Sequence, residues 1–300
     1  IWCSWYGYYR DISERRLLAA LTEVSELAFS VFQIDDGWQV ANGDWLGNTK
    51  FPSGMAQMAT RCEQAGLVPG LWLAPFLVDP ASALFSQYPQ MILKDALGIP
   101  VVAANNWGPT YTLDVTRHDV LDWLAQLCQR MVADGYQYLK LDFLYAASLP
   151  GCYREEMSRE TAYRHAIQVM REAVGNDVYL LGCGAPILAS VGVLDGLRVG
   201  PDVASVWDDI ERTLHLADRA GPGVADAITT SLGRYWLKEL IDIDPDVAYF
   251  RSRNCSLTAQ QKQLLVDLCH VCEFRGTSDI PRWLSVVETT RKETTPVSKA

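Results

Sequence analysis

The residues best suited to chemistry are a lysine and an aspartate two positions apart in an apolar run. The run reads Leu139-Lys140-Leu141-Asp142-Phe143. In an extended strand the side chains of Lys140 and Asp142 point to the same side, opposite the three apolar ones. Two charges inside a folded domain are costly unless they are paired. Either the two residues form a buried ion pair that fixes the fold, or Lys140 lowers the pKa of Asp142 and keeps it ionised, which suits a nucleophile.

A second carboxyl group, Asp202, follows the turn residues Gly200 and Pro201. It is either a helix N-cap or turn residue, or a side chain aimed at Asp142. In the second case the ionised Asp142 raises the pKa of Asp202, which can then act as an acid near neutral pH. Two carboxyl groups with different pKa values are what glycoside hydrolysis requires.

Further polar and aromatic residues at the ends of apolar runs could bind a sugar. The adjacent Asp35 and Asp36 precede a glycine, so a bend could aim both at one ligand; a simple acidic turn is the alternative. Trp72 and Trp5 could present a flat face to the C–H groups of a sugar, or belong to the core. Arg198 could donate to a hydroxyl or a carboxylate, or form a surface salt bridge.

The elements that must position these residues are short apolar runs alternating with amphipathic stretches. Strands are predicted at Trp2–Tyr6, Val31–Asp35, Val68–Pro75, Tyr138–Phe143, Val178–Cys183, Leu197–Val199, Val247–Arg251 and Thr277–Ile280. Helices are predicted at Ser13–Leu27, Gly54–Ala65, His118–Ala133, Arg159–Val174, Arg212–Ala220, Val224–Trp236 and Thr258–Phe274. This alternation is typical of a parallel sheet covered by helices.

About eight such repeats predict an α/β fold, a (β/α)8 TIM barrel with its active site at the C-terminal ends of the strands. A doubly wound open sheet is the alternative, but the GxGxxG motif that usually follows its first strand is absent. The long connection Leu77–Leu113 predicts an insertion after the third strand, above the barrel mouth. We expect a single catalytic barrel over residues 1–287 and a flexible tail over residues 288–300, which is rich in Thr and Lys.

Composition and charge argue against several classes of protein. The 300 residues include 26 Lys and Arg against 36 Asp and Glu, a net charge of −10, with no basic cluster. We therefore expect no nucleic acid and no membrane partner. No signal peptide or apolar run of about 18 residues is visible. The 8 cysteines of this long chain are expected to be reduced thiols, which favours a cytoplasmic location.

Other catalytic chemistries have weaker support in the sequence. The pair Cys269 and Cys272 has zinc-like spacing, but no second pair accompanies it. The chain has neither a GxSxG nucleophile motif nor a phosphate-binding P-loop. In a metal-dependent hydrolase barrel, the strand ends normally supply histidine ligands. The four histidines of this chain all lie in helix-like stretches: His118, His165, His215 and His270. We expect no metal site and no cofactor.

Six motifs in the same order resemble the catalytic barrel of the glycoside hydrolase family 36 α-galactosidases. They span nearly the whole chain, from Trp2 to Leu284, and only in combination make the resemblance specific. The motifs are Trp2-Cys3-Ser4-Trp5-Tyr6, Gln33-Ile34-Asp35-Asp36-Gly37, Gly70-Leu71-Trp72-Leu73-Ala74-Pro75-Phe76, Leu139-Lys140-Leu141-Asp142-Phe143-Leu144, Gly182-Cys183-Gly184 and Arg198-Val199-Gly200-Pro201-Asp202.

The resemblance implies a role for each candidate residue. Asp142 is implied to be the nucleophile that forms a covalent galactosyl-enzyme, and Asp202 the general acid/base. The implied substrate-binding residues are Asp35 and Asp36 at the 4- and 6-hydroxyls of galactose, and Trp72, Trp5, Lys140, Cys183 and Arg198 around the rest of the sugar. The implied mechanism is double displacement with retention of configuration and without a metal.

The implied activity is hydrolysis of terminal α-D-galactosyl groups of oligosaccharides such as melibiose or raffinose. Two alternatives stay open: galactosyl transfer at the same site, as in the raffinose-synthase branch, and a sugar-binding barrel without turnover. Full-length members of the family carry a β domain on each side of the barrel. We therefore expect a longer parent protein, and the formation of homo-oligomers is compatible with it.

Overall fold

The computed structural model describes residues 1–106, 108–208 and 221–285. Two expectations lie outside these residues: the predicted helix Arg212–Ala220 and the flexible tail over residues 288–300.

A curled sheet of seven parallel strands forms the centre of the molecule. Neighbouring strands follow each other in the order in which they occur in the chain. The strands are β1 (Trp2–Cys3), β2 (Val31–Ile34), β5 (Val68–Leu73), β9 (Tyr138–Leu141), β10 (Tyr179–Cys183), β11 (Gly196–Arg198) and β12 (Asp242–Asp244). Because all seven run in one direction, residues that end different strands meet at one edge of the sheet.

The two edges of the curled sheet approach the same short segment near the end of the chain. Thr277 forms a parallel bridge with Trp2 on one side, and Gly276 forms a parallel bridge with Val247 on the other. The Cys3 amide donates to the Thr277 carbonyl at 2.9 Å, and the Ala248 amide donates to the Gly276 carbonyl at 2.8 Å.

Helices cover the outside of the sheet and bury one apolar face each. The longer helices are Glu14–Ser25, Met55–Gln64, His118–Ala133, Arg159–Val174, Val224–Gly233 and Ala259–Cys272. Thr258 and Gln261 form a capping box at the start of the last of them, with both reciprocal hydrogen bonds present. Among the described residues, each helix is too short or too polar to traverse a lipid bilayer.

Shorter elements lie in the connections between the strands and the longer helices. Four-residue and five-residue helices lie at Trp5–Tyr8, Ala83–Gln87 and Ile187–Ser190, and 3-10 turns lie at Pro89–Met91, Leu144–Ser148, Tyr235–Glu239 and Pro281–Trp283. A hairpin of β3 (Gln39–Ala41) and β4 (Asp44–Gly47) follows β2.

A small antiparallel sheet lies between β5 and the helix His118–Ala133. It contains β6 (Leu77–Val78), β7 (Val102–Ala104) and β8 (Thr110–Thr112), with β8 in the middle. This sheet occupies the long connection Leu77–Leu113.

The seventh strand is not where the sequence pattern placed it. The prediction of a strand at Val247–Arg251 is wrong: β12 covers Asp242–Asp244, and only Val247 forms a bridge. The strand ends because Pro245 has no backbone N–H to donate and Asp246 adopts a φ of 76°, in the left-handed region. The predicted first strand is also too long, since Trp5 begins a short helix.

Candidate active site

A small cavity opens at the C-terminal ends of the parallel strands. Eight of the nine site residues predicted from the sequence line it, together with two that were not predicted. The lining residues are Trp5, Asp35, Asp36, Trp72, Asn106, Lys140, Asp142, Phe143, Arg198 and Asp202. Asn106 comes from the connection between Val102–Ala104 and Thr110–Thr112; the other lining residues meet here because each lies near the end of a parallel strand or soon after it.

Cys183 is the predicted residue that does not line this cavity. It is the last residue of β10, its side chain is completely buried, and it packs in a small apolar cluster with Tyr138 and Leu181. Burial raises the pKa of the Cys183 thiol well above its ordinary value. In this structure Cys183 is therefore a buried neutral thiol outside the lining of the cavity.

Lys140 forms its ion pair with Asp35 and not with Asp142, the partner that the spacing predicted. Lys140 Nζ lies 2.8 Å from Asp35 Oδ2, and both side chains are buried. The same Oδ2 accepts from Gln33 Nε2 at 2.7 Å and from the Cys3 thiol at 3.4 Å. Burial lowers the pKa of Lys140, but Asp35, Cys3 and Cys183 together outweigh this effect and hold the pKa well above its ordinary value.

Asp142 is oriented by two N–H donors at the end of β9. Its Oδ2 accepts from Trp72 Nε1 at 3.1 Å, and its Oδ1 accepts from the Phe143 amide at 2.7 Å. The Asp142 amide donates to the Leu73 carbonyl of the neighbouring strand at 2.7 Å. Both backbone and side chain are thus fixed, with the carboxylate facing the cavity.

Phe143 directs the chain out of β9, and the sequence pattern predicted its conformation and orientation wrongly. The alternation predicted a strand residue that faces the helices, but Phe143 has φ 54° and ψ 34°, in the left-handed region, and lines the cavity. A bulky residue rarely adopts this conformation. Here it brings the Phe143 amide onto the Asp142 carboxylate.

Asp202 contacts a cation that the sequence argument had not paired with it. Arg198 Nη2 lies 2.6 Å from Asp202 Oδ1, and the arginine side chain is mostly buried, so the contact is not a surface salt bridge. Burial raises the pKa of Asp202, but the charges of Arg198 and Lys140 outweigh it and hold the pKa below its ordinary value. The predicted rise in this pKa is therefore wrong for the free protein.

Behind Arg198 lies a further carboxyl group that the sequence argument missed. Arg198 Nη1 is 3.6 Å from Asp246 Oδ2, and the same oxygen accepts from the Tyr6 hydroxyl and, at 2.9 Å, from the Val203 amide. Asp246 and Tyr6 are both buried. Asp246 follows the short strand β12 just as Asp35 and Asp36 follow β2, but β12 itself reads Asp-Ile-Asp and gives no apolar signal in the sequence.

Asp36 occupies the opposite wall and is held by a neighbouring turn. Its Oδ1 accepts from Gln39 Nε2 at 2.7 Å, and its Oδ2 lies 3.5 Å from Arg10 Nε. Burial raises the pKa of Asp36 above its ordinary value. Arg10 was not predicted, since it lies in a loop rather than at a strand end.

The cavity continues into a wider groove beside it. Four residues, Asp36, Trp72, Asn106 and Phe143, line both. The groove extends past Arg10, Asp79 and the antiparallel sheet of β6, β7 and β8. A ligand could therefore place one ring in the cavity and the rest of its chain in the groove.

The chemistry available at this site is that of carboxyl groups and hydrogen-bond donors. Among the described residues there is no group of three or more His, Cys, Asp and Glu side chains that could hold a metal ion. Two N–H groups donate to Asp142, whereas Asp202 lies beside a buried arginine. The two carboxyl groups therefore have different surroundings. The arrangement offers a fixed carboxylate and a second, partly exposed carboxyl group at one cavity.

The sequence matches known proteins along most of its length. Residues 1–174 match the family model described as Melibiase. The α-galactosidase AgaA of Geobacillus stearothermophilus is 27% identical over 183 residues, which cover 56% of this chain and 24% of that protein. The α-galactosidase 1 of Pediococcus pentosaceus is 26% identical over 161 residues, or 49% of this chain and 22% of that protein. The chain thus spans about a quarter of the length of these relatives.

Solved structures agree with the sequence matches. The α-galactosidase TtGalA of Thermus thermophilus, in complex with stachyose, has a TM-score of 0.93 and 50% identity over 98% of this chain and 64% of its own. The α-galactosidase AgaA of Geobacillus stearothermophilus has a TM-score of 0.69 at 19% identity, which shows the shared fold. The chain therefore belongs to the melibiase family and forms an α-galactosidase domain of glycoside hydrolase family 36.

Proposed function

We propose that this chain is a retaining α-galactosidase that hydrolyses terminal α-D-galactosyl groups of melibiose- and raffinose-type oligosaccharides by double displacement. The observation that carries the proposal is the meeting of Asp142 and Asp202 at one cavity among six further polar and aromatic side chains predicted to bind galactose. The 50% identity to the Thermus thermophilus α-galactosidase, whose structure contains stachyose, supports the substrate class.

Asp142 acts as the nucleophile. The N–H groups of Trp72 and Phe143 orient its carboxylate, which attacks the anomeric carbon as the bond to the leaving oxygen breaks. This step leaves a covalent galactosyl-enzyme of inverted configuration. Attack by water on the same carbon then releases galactose with the original configuration and frees Asp142.

Asp202 acts as the general acid and base. It gives a proton to the leaving oxygen in the first step and takes one from the attacking water in the second. Its 38% exposed side chain lets water and the leaving group reach it. Arg198 holds the carboxyl group in place from the buried side.

Asp35 and Asp36 accept hydrogen bonds from the 4- and 6-hydroxyls of galactose. Lys140 compensates the buried charge of Asp35, and the rings of Trp5 and Trp72 shape the pocket against the C–H face of the sugar. These groups distinguish galactose from sugars that present a hydroxyl in another orientation, because a mismatched hydroxyl leaves a buried carboxylate oxygen unpaired.

We also infer the finer architecture that this mechanism uses. The segment at residues 276–277, which bridges to both edges of the sheet, serves as the eighth strand of a closed (β/α)8 barrel over residues 1–287. The antiparallel sheet of β6, β7 and β8 is an insertion after the third barrel strand.

Galactosyl transfer is the second candidate, and the groove beside the cavity favours it. A sugar hydroxyl bound along the groove could replace water in the second step, because both would attack one galactosyl-enzyme. Product analysis at increasing concentrations of sucrose or melibiose as acceptor measures the share of transfer. Release of free galactose as the main product at all acceptor concentrations supports hydrolysis.

The first test is release of p-nitrophenol from the α-galactoside, measured beside the β-galactoside and the α-glucoside. Selective cleavage of the α-galactoside, with α-galactose as the first product in proton NMR spectra, is the expected result. Absence of α-galactoside cleavage would overturn the proposed function. Release of β-galactose as the first product would overturn the retaining mechanism.

Variants of the two carboxyl residues test their separate roles. In Asp142→Gly we expect turnover to fall by about 10³-fold or more, and added azide to restore it with formation of β-galactosyl azide. In Asp202→Gly azide should instead give α-galactosyl azide, because it attacks the covalent intermediate. The matched control Asp122→Gly changes an exposed carboxylate on the helix His118–Ala133 and should leave turnover within about twofold of the wild type.

A further inference from the structure

Two adjacent buried residues, Trp38 and Gln39, contact different residues of the site from the start of the hairpin of β3 and β4. The indole N–H of Trp38 donates to the Trp72 carbonyl at 2.9 Å, and the side-chain amide of Gln39 donates to Asp36 Oδ1 at 2.7 Å. Trp38 is 1% exposed and Gln39 is 4% exposed. Neither residue lines the cavity, but each contacts one that does.

The Gln39 amide is held at both ends, so its orientation toward Asp36 is fixed. Its Oε1 accepts from the Gly37 amide at 3.1 Å, which leaves Nε2 to face the Asp36 carboxyl group. The second oxygen of that group, Oδ2, lies 3.5 Å from Arg10 Nε. Gln39 therefore sets the rotation of the carboxyl group that we assign to a galactose hydroxyl.

Asn48, which directly follows β4, holds the backbone that carries both side chains. Its Nδ2 donates to the Gly37 carbonyl at 2.9 Å and to the Gln39 carbonyl at 3.0 Å. Its own amide donates to the Trp38 carbonyl at 2.8 Å. The three consecutive carbonyls of residues 37–39 thus bond one residue, and the path of this segment is fixed.

Trp38 holds the peptide group that joins the two contacts of Asp142 on β5. The Trp72 indole donates to Asp142 Oδ2 at 3.1 Å, and the Leu73 carbonyl accepts from the Asp142 amide at 2.7 Å. The Trp72 carbonyl lies between these two groups in the chain. The neighbouring strand β2 ends at Ile34, opposite Leu71, so the Trp38 indole takes the place of a strand partner.

We propose that Trp38 and Gln39 are positioning residues for separate parts of the reaction: Trp38 orients the nucleophile through Trp72, and Gln39 orients the galactose-binding Asp36. The inference rests on the proposed function, in which Asp142 attacks the anomeric carbon and Asp36 accepts from a hydroxyl. A misplaced nucleophile slows the chemical step, whereas a misplaced hydroxyl acceptor weakens the binding of galactose in ground state and transition state alike. The two adjacent residues should therefore affect different constants.

Gln39 also influences the charge of Asp36. Burial raises the pKa of Asp36 above its ordinary value, and the hydrogen bond from Gln39 opposes this rise because it stabilises the carboxylate. The charged groups that face Asp36 are Arg10, Asp35 and Lys50. Loss of the Gln39 amide should raise the pKa of Asp36 further. A protonated carboxyl group accepts fewer hydrogen bonds, so galactose binding should then begin to weaken at a higher pH.

The first test compares kcat for p-nitrophenyl α-galactoside with the inhibition constant Ki of galactose in Trp38→Phe. This variant keeps a buried ring and removes the N–H. We expect kcat to fall about tenfold, as for one lost buried hydrogen bond, and Ki to stay within about twofold. The matched control Trp45→Phe removes a buried indole N–H of the same hairpin that bonds no other described group. Both constants should stay within about twofold in the control.

The second test uses Gln39→Met, which removes the donor to Asp36. We expect Ki of galactose to rise about tenfold and kcat to change by less than about threefold. The acid limb of galactose binding should move to higher pH. Gln39→Glu keeps the size of the side chain and places a second carboxyl group beside Asp36, so it should move the limb in the same direction. A merely structural loss would raise Ki by the same factor at every pH.

Thermal unfolding of each variant sets an assay temperature at which it is folded, and Gln39→Glu supplies the comparison if Gln39→Met does not fold. Equal changes of kcat and Ki in the Trp38 and Gln39 variants overturn the inference. An acid limb that stays in place in the Gln39 variants, or a loss in Trp45→Phe as large as in Trp38→Phe, also overturns it. Absence of galactoside cleavage by the wild type overturns the proposed function instead.

Discussion

Lys140 and Asp35 form a buried ion pair, with Lys140 Nζ 2.8 Å from Asp35 Oδ2, although 105 residues separate them in the chain. They lie at the ends of β9 and β2, on either side of β5. The pair therefore joins three neighbouring strands at the level of the cavity. It also leaves Asp142 free of a direct lysine contact and dependent on N–H donors.

Replacing Lys140 with methionine should destabilise the fold. Lys140→Met leaves the Asp35 carboxylate buried without its cation, and loss of one partner of a buried pair typically costs about 3–5 kcal/mol. Urea denaturation measures the change in the free energy of unfolding. The control Lys238→Met removes the lysine of the Lys238–Glu273 pair, whose glutamate is exposed, and should cost less than about 1 kcal/mol. An equal loss of unfolding free energy in both variants would show that breaking the buried pair costs no more than breaking the exposed one.

Trp72→Phe should lower kcat more than it changes KM. The variant keeps an aromatic ring but removes the N–H that donates to Asp142 at 3.1 Å. Hydrogen bonds to charged groups contribute about 1.5–3 kcal/mol, so we expect kcat to fall roughly 10- to 100-fold. The control is Trp45→Phe, because Trp45 packs on Trp72 and its buried Nε1 bonds no other described group. If the control loses as much activity, the effect comes from packing rather than from the hydrogen bond.

Arg198→Met should raise the pKa of the acid/base. Burial raises the pKa of Asp202, and Arg198 is the largest of the influences that lower it, so without Arg198 the alkaline limb of kcat/KM moves to higher pH. The value of kcat/KM itself should fall, since Arg198 lines the cavity. The control Arg234→Met removes an exposed arginine that donates to the Val199 carbonyl and should leave the limb in place. A limb that moves to lower pH in Arg198→Met would refute the role of Arg198.

Asp244→Asn should stabilise the protein above about pH 6. Burial and the neighbouring Asp246 raise the pKa of Asp244 to about 6, so the folded state binds this proton more tightly than the unfolded chain. The resulting stability is present below the unfolded pKa of about 3.9 and is lost as pH rises through about 6, amounting to roughly 2–3 kcal/mol.

Urea denaturation at about pH 4 and about pH 7.5 measures this loss. It should be present in the wild type, absent in Asp244→Asn, and unchanged in the control Asp122→Asn, whose side chain is exposed. A loss of the same size in Asp244→Asn would show that another group causes it.

Much of the fold could be predicted because strands and helices alternate regularly. The helices His118–Ala133 and Arg159–Val174 have the bounds that their apolar spacing predicted. The parallel order of the strands explains why residues at strand ends meet at one cavity, so eight candidates could be found without a structure.

The errors arose where pairing or backbone conformation depends on neighbouring strands. Spacing alone shows that Lys140 and Asp142 share a side of a strand, but not that Asp35 of another strand lies closer to the lysine. The left-handed conformation of Phe143 has no signal in the sequence, since the residue is neither glycine nor asparagine. Asp246 was missed because the apolar run after Pro245 suggested a later strand.

The groove beside the cavity has one wall built from a part of the chain that carries none of the cavity's carboxyl groups. Asn106, Pro109 and Thr110 come from the connection that holds β7 and β8, between β5 and the helix His118–Ala133. The acidic residues come from the strand ends of the central sheet. Mutations and length changes within this connection can therefore alter ligand preference while the carboxyl residues stay the same. Natural selection and directed evolution can act on these two parts of the chain independently.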